Sequence, residues 1–393
     1  MIITSLLDND LYKITMMQAV YRKYSSTKVE YEFYCRTENV EFTLDDACEI
    51  KNEIENLSKL KFKESELIYL QELRFIFPDF VQFLKLFRLD FKFVHFDYNQ
   101  DKKMIKINIC GPWLHTILYE VPILSIINEI YNKNHRDKAL KEIETEGYKR
   151  LSNKSLLFDE QWQKHNDFKI ADFGTRRRYS RIWHNNVVNL LSSWTNVIVG
   201  TSNMKIAKDL NLTPLGTMAH EWFQAHQQLG YQIRLSQRNA LQAWADVYRG
   251  DLGIALTDTI GIDAFLNDFD LYFAKLFDGV RHDSGSHYEF ADKIITHYKK
   301  LKIDPKTKTI IFSDGLTQKL AIDIFNKFHD KINVSFGIGT NLTNDCGNKV
   351  LQIVIKMIKC NGYPVAKISD NKSKIICYDS QYLSYLKHIF NLE

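Results

Sequence analysis

The sequence predicts a mixed α/β protein, an α/β barrel accompanied by an α+β domain. Three observations carry that prediction. From residue 168 onward, short β-rich runs alternate with amphipathic helices, the grammar of parallel strands joined by right-handed crossovers. Those runs end in small and polar residues, as strands do whose C-terminal ends build one shared rim. The first third and the segment after 350 carry β-runs suited to antiparallel pairing. The same βα units also fit an open doubly wound sheet, with its site where the strand order reverses.

Taken in order, residues 28–36 alternate, with Val29, Tyr31, Phe33 and Cys35 on one face, which predicts a half-buried strand. Ile50, Ile54, Leu57 and Leu60 stand at helical spacing. Residues 91–96 and 103–110 predict two strands around a polar turn. Pro112 suits the first turn of a helix running to about Tyr131. The charged stretch 132–151 predicts a solvated helix. The barrel then occupies 131–349, and an N-terminal α+β domain occupies 1–130, completed by 350–393.

Composition excludes several classes. The 393 residues include 25 Phe, 20 Tyr and 6 Trp against 16 Gly and 6 Pro, which is not a disordered or fibrous chain. A net charge of +4 gives no case for nucleic acid or a membrane surface as partner. No apolar run exceeds four residues, so no transmembrane helix is expected. The N-terminus carries Asp8 and Asp10 and lacks a basic leader region. The 6 cysteines include no CxxC pair, so a zinc ribbon and a disulfide scaffold are both disfavoured and a reduced, cytoplasmic chain is expected.

Familiar catalytic signatures are missing. There is no P-loop and no GxSxG elbow. His220-Glu221 opens like HExxH, but Gln224 stands where zinc needs its second histidine. Gly337 and Gly339 begin a GxGxxG, and Leu342 ends it. What remains suits anions. Gly337-Ile338-Gly339-Thr340 follows a β-run and can present amides and a hydroxyl to phosphate, although a plain turn has the same signature. Ser313-Asp314-Gly315 is of the same kind. Arg176-Arg177-Arg178 is a dense cationic cluster at a run end, suited to phosphate or to ordinary ion pairs. Arg281 and Asp283 are two apart, either an internal salt bridge or a pair for a ligand anion and a ribose hydroxyl. His220 taken alone reads equally as a core or capping histidine.

Their joint order is far more specific than any one of them. Leu7-Asp8-Asn9-Asp10-Leu11-Tyr12-Lys13, Gly111-Pro112-Trp113, Asp172-Phe173-Gly174-Thr175-Arg176, Gly200-Thr201-Ser202-Asn203, Gly216-Thr217-Met218-Ala219-His220-Glu221, Arg281-His282-Asp283-Ser284-Gly285 and Gly337-Ile338-Gly339-Thr340 run nearly end to end. In this the chain resembles the short bacterial and fungal nicotinate phosphoribosyltransferases. Ser286 departs from the family, which usually carries an acidic or amide residue there.

The resemblance implies the irregular barrel of type II phosphoribosyltransferases with an additional α+β domain. It also implies synthesis of nicotinate mononucleotide and pyrophosphate from nicotinate and 5-phosphoribosyl-1-pyrophosphate (PRPP), coupled to ATP, in NAD salvage. His220 would be the phosphorylated histidine, with Arg281 and Asp283 beside it in catalysis. Tyr12 and Phe173 would stack on the base, with Tyr12 open to donation by a neighbouring subunit. Arg176, Thr217, Asp314, Gly315, Gly337, Gly339 and Thr340 would bind substrate. Glu221, by its adjacency and apart from the resemblance, reads either as orienting the His220 imidazole or as simple charge complement to a helix N-terminus. Mg²⁺ is expected with unassigned ligands, ATP is a co-substrate, and a homodimer is one assembly the resemblance allows.

Overall fold

The computed structural model describes residues 1–371 and 374–392. In chain order its strands are β1 (Lys28–Cys35), β2 (Val94–Asn99), β3 (Met104–Pro112), β4 (Ile170–Asp172), β5 (Ile198–Thr201), β6 (Thr213–Pro214), β7 (Arg249–Leu252), β8 (Ile254–Leu256), β9 (Gly279–His282), β10 (Thr309–Phe312), β11 (Asn333–Ile338), β12 (Ile353–Cys360) and β13 (Tyr363–Pro364). They form two sheets, with β7 in neither.

The first sheet is antiparallel, in the order β13-β12-β1-β3-β2. Val29, Tyr31 and Phe33 are buried along β1, as their alternation predicts. The tail strand β12 lies directly on β1, pairing Phe33 with Ile355. The N-terminal segment and the residues after 350 therefore share one sheet.

The second sheet is parallel throughout, in the order β6-β5-β4-β11-β10-β9-β8. Read as a ring, that order runs 8, 9, 10, 11, 4, 5, 6 without a reversal. It is the order of a barrel, curled and left open along one seam, and not that of a doubly wound sheet. Among the described residues no strand pairing joins β6 to β8. The chain leaving β6 enters the helix His220–Leu229, which packs against β12 of the other sheet. No described helix is long and apolar enough to cross a membrane.

Several local expectations shift. The helix carrying Ile50 and Ile54 starts earlier, at Leu44, because Thr43 and Asp46 form a capping box there. The first 3 residues of the expected strand 91–96 are a 3₁₀ turn capped by Asp90. Pro112 both ends β3 and stands as the N-cap of the short helix that begins at Trp113. The helix expected to run to Tyr131 is broken into Trp113–Thr116, a 3₁₀ turn, and Glu120–Asn134. Pro122 explains the break: its ring would strike the carbonyl of Leu118 in a continuous helix. The solvated helix expected over 132–151 is also corrected. The helix spans Leu140–Lys164 and buries Ile143, Gly147, Leu151, Lys154, Phe158 and Gln161 along one stripe. Its many charges mask that stripe in the sequence. In the tail, 365–370 forms no strand, only a bridge from Lys367 to Ile376.

Candidate active site

A cavity of about 480 Å³ opens at the C-terminal ends of the parallel strands, roofed by β12. The residues predicted from sequence converge on it from separate strand ends. Tyr12, Phe173, Arg176, His220, Arg281, Asp283, Asp314, Gly315, Gly339 and Thr340 all line it. Tyr12 and Phe173 reach it from the same chain. Two predicted residues lie behind the wall. Gly337 is not in the lining; a Cβ there would stand 2.2 Å from a ring carbon of Phe173, so its smallness seats that ring. The Thr217 hydroxyl is buried without a partner among the described residues, also outside the lining.

The strand ends are fixed by buried hydrogen bonds. Asp172 at the end of β4 accepts from Thr201 Oγ1 at 2.5 Å and the Gly174 amide at 2.9 Å, and lies 2.7 Å from His184 Nε2. Phe173 donates its amide to Ile338 at 2.9 Å. The arginine cluster that follows is divided by burial. Arg178 is fully buried and grips Asp8 at 2.7 and 2.8 Å, a structural pair. Arg177 turns to Gln352 and the Ile353 carbonyl on β12. Arg176 faces the cavity, 3.3 Å from Glu120.

The open seam of the barrel is where the charged centre lies. His220 follows β6 and Asp258 follows β8, and His220 Nε2 lies 2.8 Å from Asp258 Oδ1. Asp283, after β9, places Oδ2 3.5 Å from the same nitrogen. Arg281 donates from Nε to Ser313 Oγ at 3.0 Å, from Nη2 to Asp283 Oδ1 at 3.2 Å, and from Nη1 to the Met218 carbonyl at 3.5 Å across the seam. Asp258 is saturated: Ser284 donates to Oδ2 at 2.7 Å and Lys367 Nζ stands 3.0 Å away.

These contacts set protonation. Burial, reinforced by the Lys367 ammonium, pulls His220 down to about 4 against the pull of Asp258. The imidazole is therefore neutral near pH 7. Burial opposes ionisation of Asp258, yet Lys367 and then His220 hold its carboxyl far below the usual range. Burial likewise opposes ionisation of Asp283, and Arg281 and His220 overcome it. With Asp258 ionised, the His220 proton resides on Nε2, and Nδ1 keeps its lone pair.

Glu221 does not orient His220. Successive helical residues point about 100° apart, and Glu221 turns to the buried Lys13 at 2.6 Å. Lys13 also meets Glu120 at 2.5 Å. The orienting carboxylate is Asp258. Ser286 caps the helix His287–Lys300 by accepting from the Glu289 amide, a role a short hydroxyl side chain fills.

Further lining residues went unpredicted. Arg36 comes from the antiparallel side, as do Lys356 on β12 and Lys367 and Lys374 beyond it. Lys374 pairs with Asp314 at 2.5 Å. Lys356 has no carboxylate within 4.0 Å among the described residues, and burial pushes its ammonium down to about 7. A lysine inside the apolar run Ile353–Ile358 was the available signal. Asp258 sits in Thr257-Asp258-Thr259 at the end of β8, a small polar sequence with no distinctive spacing.

His220, Asp258 and Asp283 bring three donor atoms within 4.8 Å of one another. Mg²⁺ prefers oxygen and few protein ligands. Asp258 is already saturated and His220 offers nitrogen, so the trio is a poor Mg²⁺ cage. Asp283 is the most exposed of the three carboxylate and imidazole groups, with Arg281 and Ser313 both donating to its Oδ1.

Known proteins place this arrangement. Residues 168–393 match the nicotinate phosphoribosyltransferase (NAPRTase) family, and residues 7–128 match the NAPRTase N-terminal domain. A nicotinate phosphoribosyltransferase of Xanthomonas euvesicatoria is 50% identical over 394 residues, covering 100% of this chain and 98% of that protein. One from Bordetella pertussis is 48% identical, covering 100% and 96%. The crystal structure of the Vibrio cholerae nicotinate phosphoribosyltransferase superposes with a TM-score of 0.95 at 39% identity, covering 100% of this chain and 95% of that one. That of the Porphyromonas gingivalis enzyme gives 0.91 at 33% identity, covering 99% and 100%. Matched through both sheets and nearly every residue, the chain belongs to the nicotinate phosphoribosyltransferase family.

Proposed function

We propose that this chain joins nicotinate to PRPP, releasing nicotinate mononucleotide and pyrophosphate, and that ATP phosphorylates His220 to drive the cycle. The observation that carries this reading is the His220–Asp258 pair, set at the barrel seam in a cavity that also holds two aromatic rings and several cations. Tyr12 and Phe173 stack on the pyridine ring and aim its nitrogen at the anomeric carbon. As pyrophosphate leaves, that carbon gains oxocarbenium character, and the departing charge needs fixed cations. Arg281 and Arg176 supply them. Gly339 and Thr340 receive the 5-phosphate, and Asp314 and Gly315 shape the neighbouring rim. Mg²⁺ held by Asp283 and substrate phosphate would neutralise further charge on the leaving group.

Phosphorylation balances as follows. The Nδ1 lone pair of neutral His220 attacks the γ-phosphorus of ATP. The bond to the bridging oxygen breaks and its electron pair leaves with ADP. The imidazole, now bonded at Nδ1 and protonated at Nε2, is stabilised by Asp258. Water later cleaves the N–P bond and restores the neutral ring. The added phosphoryl charge, if like that of other phosphorylated residues about −1.5 to −2, alters the cavity's affinity for anionic substrates and products. A reduced cytoplasmic setting fits the six free cysteines.

The test is the product mass formed from nicotinate plus PRPP, with and without ATP. The reading requires nicotinate mononucleotide and a gain from ATP. Preference for nicotinamide, or binding without turnover, would refute it.

A further inference from the structure

The two family matches stop at residue 128 and resume at 168, and the helix Leu140–Lys164 lies in the interval between them. Its charge-rich sequence reads as a solvated helix. In the fold it clamps the chain that follows Gly339.

The clamp has several points of contact. Gly147 lets the helix press in: a Cβ there would lie 2.6 Å from the Trp183 ring and 3.1 Å from Cys346 Sγ. About two turns further along the same stripe, Lys154 is 5% exposed and lies 2.6 Å from Asp345 Oδ2, and it also donates to the backbone carbonyl of Asn341. Arg150 takes the other oxygen of Asp345 at 2.7 Å and is itself held by Glu146 at 2.7 Å. On the opposite side, Thr343 Oγ1 donates to the Gly174 carbonyl at 2.8 Å, and Asn344 Nδ2 to that of Arg177 at 2.7 Å. Asn341 Nδ2 reaches the Leu316 carbonyl at 2.6 Å. The turn Gly339-Thr340-Asn341 lines the cavity between these anchors, and Lys154 grips it from the back.

We propose that Lys154 is a positioning residue for phosphate binding: through Asn341 and Asp345 it holds the Gly339–Asn341 turn in the shape that receives the 5-phosphate of PRPP, without touching the substrate. This rests on the reading that Gly339 and Thr340 form the phosphate cradle. A buried cation bonded at once to a main-chain carbonyl and a carboxylate fixes a loop more tightly than either contact alone. A misplacement of about 1 Å in such a turn is enough to weaken a well-oriented contact many-fold.

The experiment compares KM for PRPP and KM for nicotinate in the full-length wild type and in Lys154→Met, Asp345→Asn and Thr340→Val. Lys154→Met is expected to raise the PRPP KM about tenfold and leave the nicotinate KM within about twofold. Asp345→Asn, which keeps the side-chain size, should move in the same direction and serves if Lys154→Met fails to fold. Thr340→Val touches the cradle itself and should also raise the PRPP KM. If Thr340→Val raises it while Asp345→Asn and any folded Lys154→Met leave it unchanged, or shift both KM values alike, the positioning role is overturned and the cradle stands. If Thr340→Val leaves the PRPP KM at the wild-type value, the cradle itself is wrong and the role of Lys154 falls with it.

Discussion

Asp258 Oδ1 stands 2.8 Å from His220 Nε2, and that contact sets the tautomer of the neutral imidazole. An ionised Asp258 fixes the proton on Nε2 and leaves the lone pair on Nδ1; in the proposed cycle Nδ1 is then the nucleophile, and Asp258 would stabilise the imidazolium-like ring that carries phosphate. Asp258→Asn presents an amide that no longer dictates the tautomer. The variant should fold, and its rate of label uptake from γ-labelled ATP should fall at least about tenfold. Labelling at the wild-type rate would remove Asp258 from the phosphorylation step.

Tyr12 lines the cavity with Phe173, and its ring carries the stacking claim. Loss of an aromatic stack costs about 0.5–1.5 kcal/mol beyond the lost area. Tyr12→Ala should raise the nicotinate KM far more than the ATP KM. Equal changes in both, measured by steady-state kinetics, would count against a role in base binding.

Arg281 uses three nitrogens on three partners, Ser313, Asp283 and Met218. A lysine ammonium cannot span that fork. Arg281→Lys should lower kcat/KM by at least about tenfold, or ~1.4 kcal/mol of transition-state stabilisation. A fully active lysine variant would show that charge alone suffices there.

His226 provides a pH test away from the cavity. Its Nδ1 lies 2.7 Å from the Trp222 carbonyl and its Nε2 lies 3.0 Å from the Tyr24 hydroxyl, so the neutral ring donates at one end and accepts at the other. Burial pulls it down to about 4. The unfolded chain, with an ordinary histidine near 6.5, binds more protons between those values. Stability should therefore be full above about pH 6.5 and fall as pH drops toward 4. Thermal melting from pH 7.5 to 4.5 should show this slope, to which buried His220 and His282 also contribute, and His226→Gln should make it shallower while lowering the melting temperature at pH 7.5. An unchanged slope would mean that His226 takes up its proton at the same pH in the folded and the unfolded chain.

The legible parts of this protein were those written as short contiguous signals. Each parallel strand ends in its own motif, so Phe173, His220, Arg281 and Gly339 could be picked out one by one. Their meeting in one cavity follows from a ring-like strand order. What stayed hidden was tertiary. Lys356, Lys367 and Lys374 come from the antiparallel sheet and its tail, and nothing local says that this sheet roofs the barrel. Arg178 and Arg176 look alike in sequence; only the buried Asp8 separates a structural arginine from a cavity arginine. Glu221 seemed to serve His220 because it is adjacent, whereas helical geometry sends it to Lys13. Gly337 seemed a phosphate ligand, and packing shows it as the seat of the Phe173 ring. The stripe of the helix Leu140–Lys164 was masked by its charges, and with it the grip of Lys154.

The proposed phosphorylation of His220 by ATP is open to a direct test. The direct measurement is incubation of the wild type and of His220→Asn with γ-labelled ATP, followed by mapping of the labelled peptide. An acid-labile, base-stable label on the peptide containing His220 is the predicted result, absent from His220→Asn, which should retain slow, ATP-independent synthesis of nicotinate mononucleotide. A label on the peptide containing His282, or one that persists in His220→Asn, would contradict the claim.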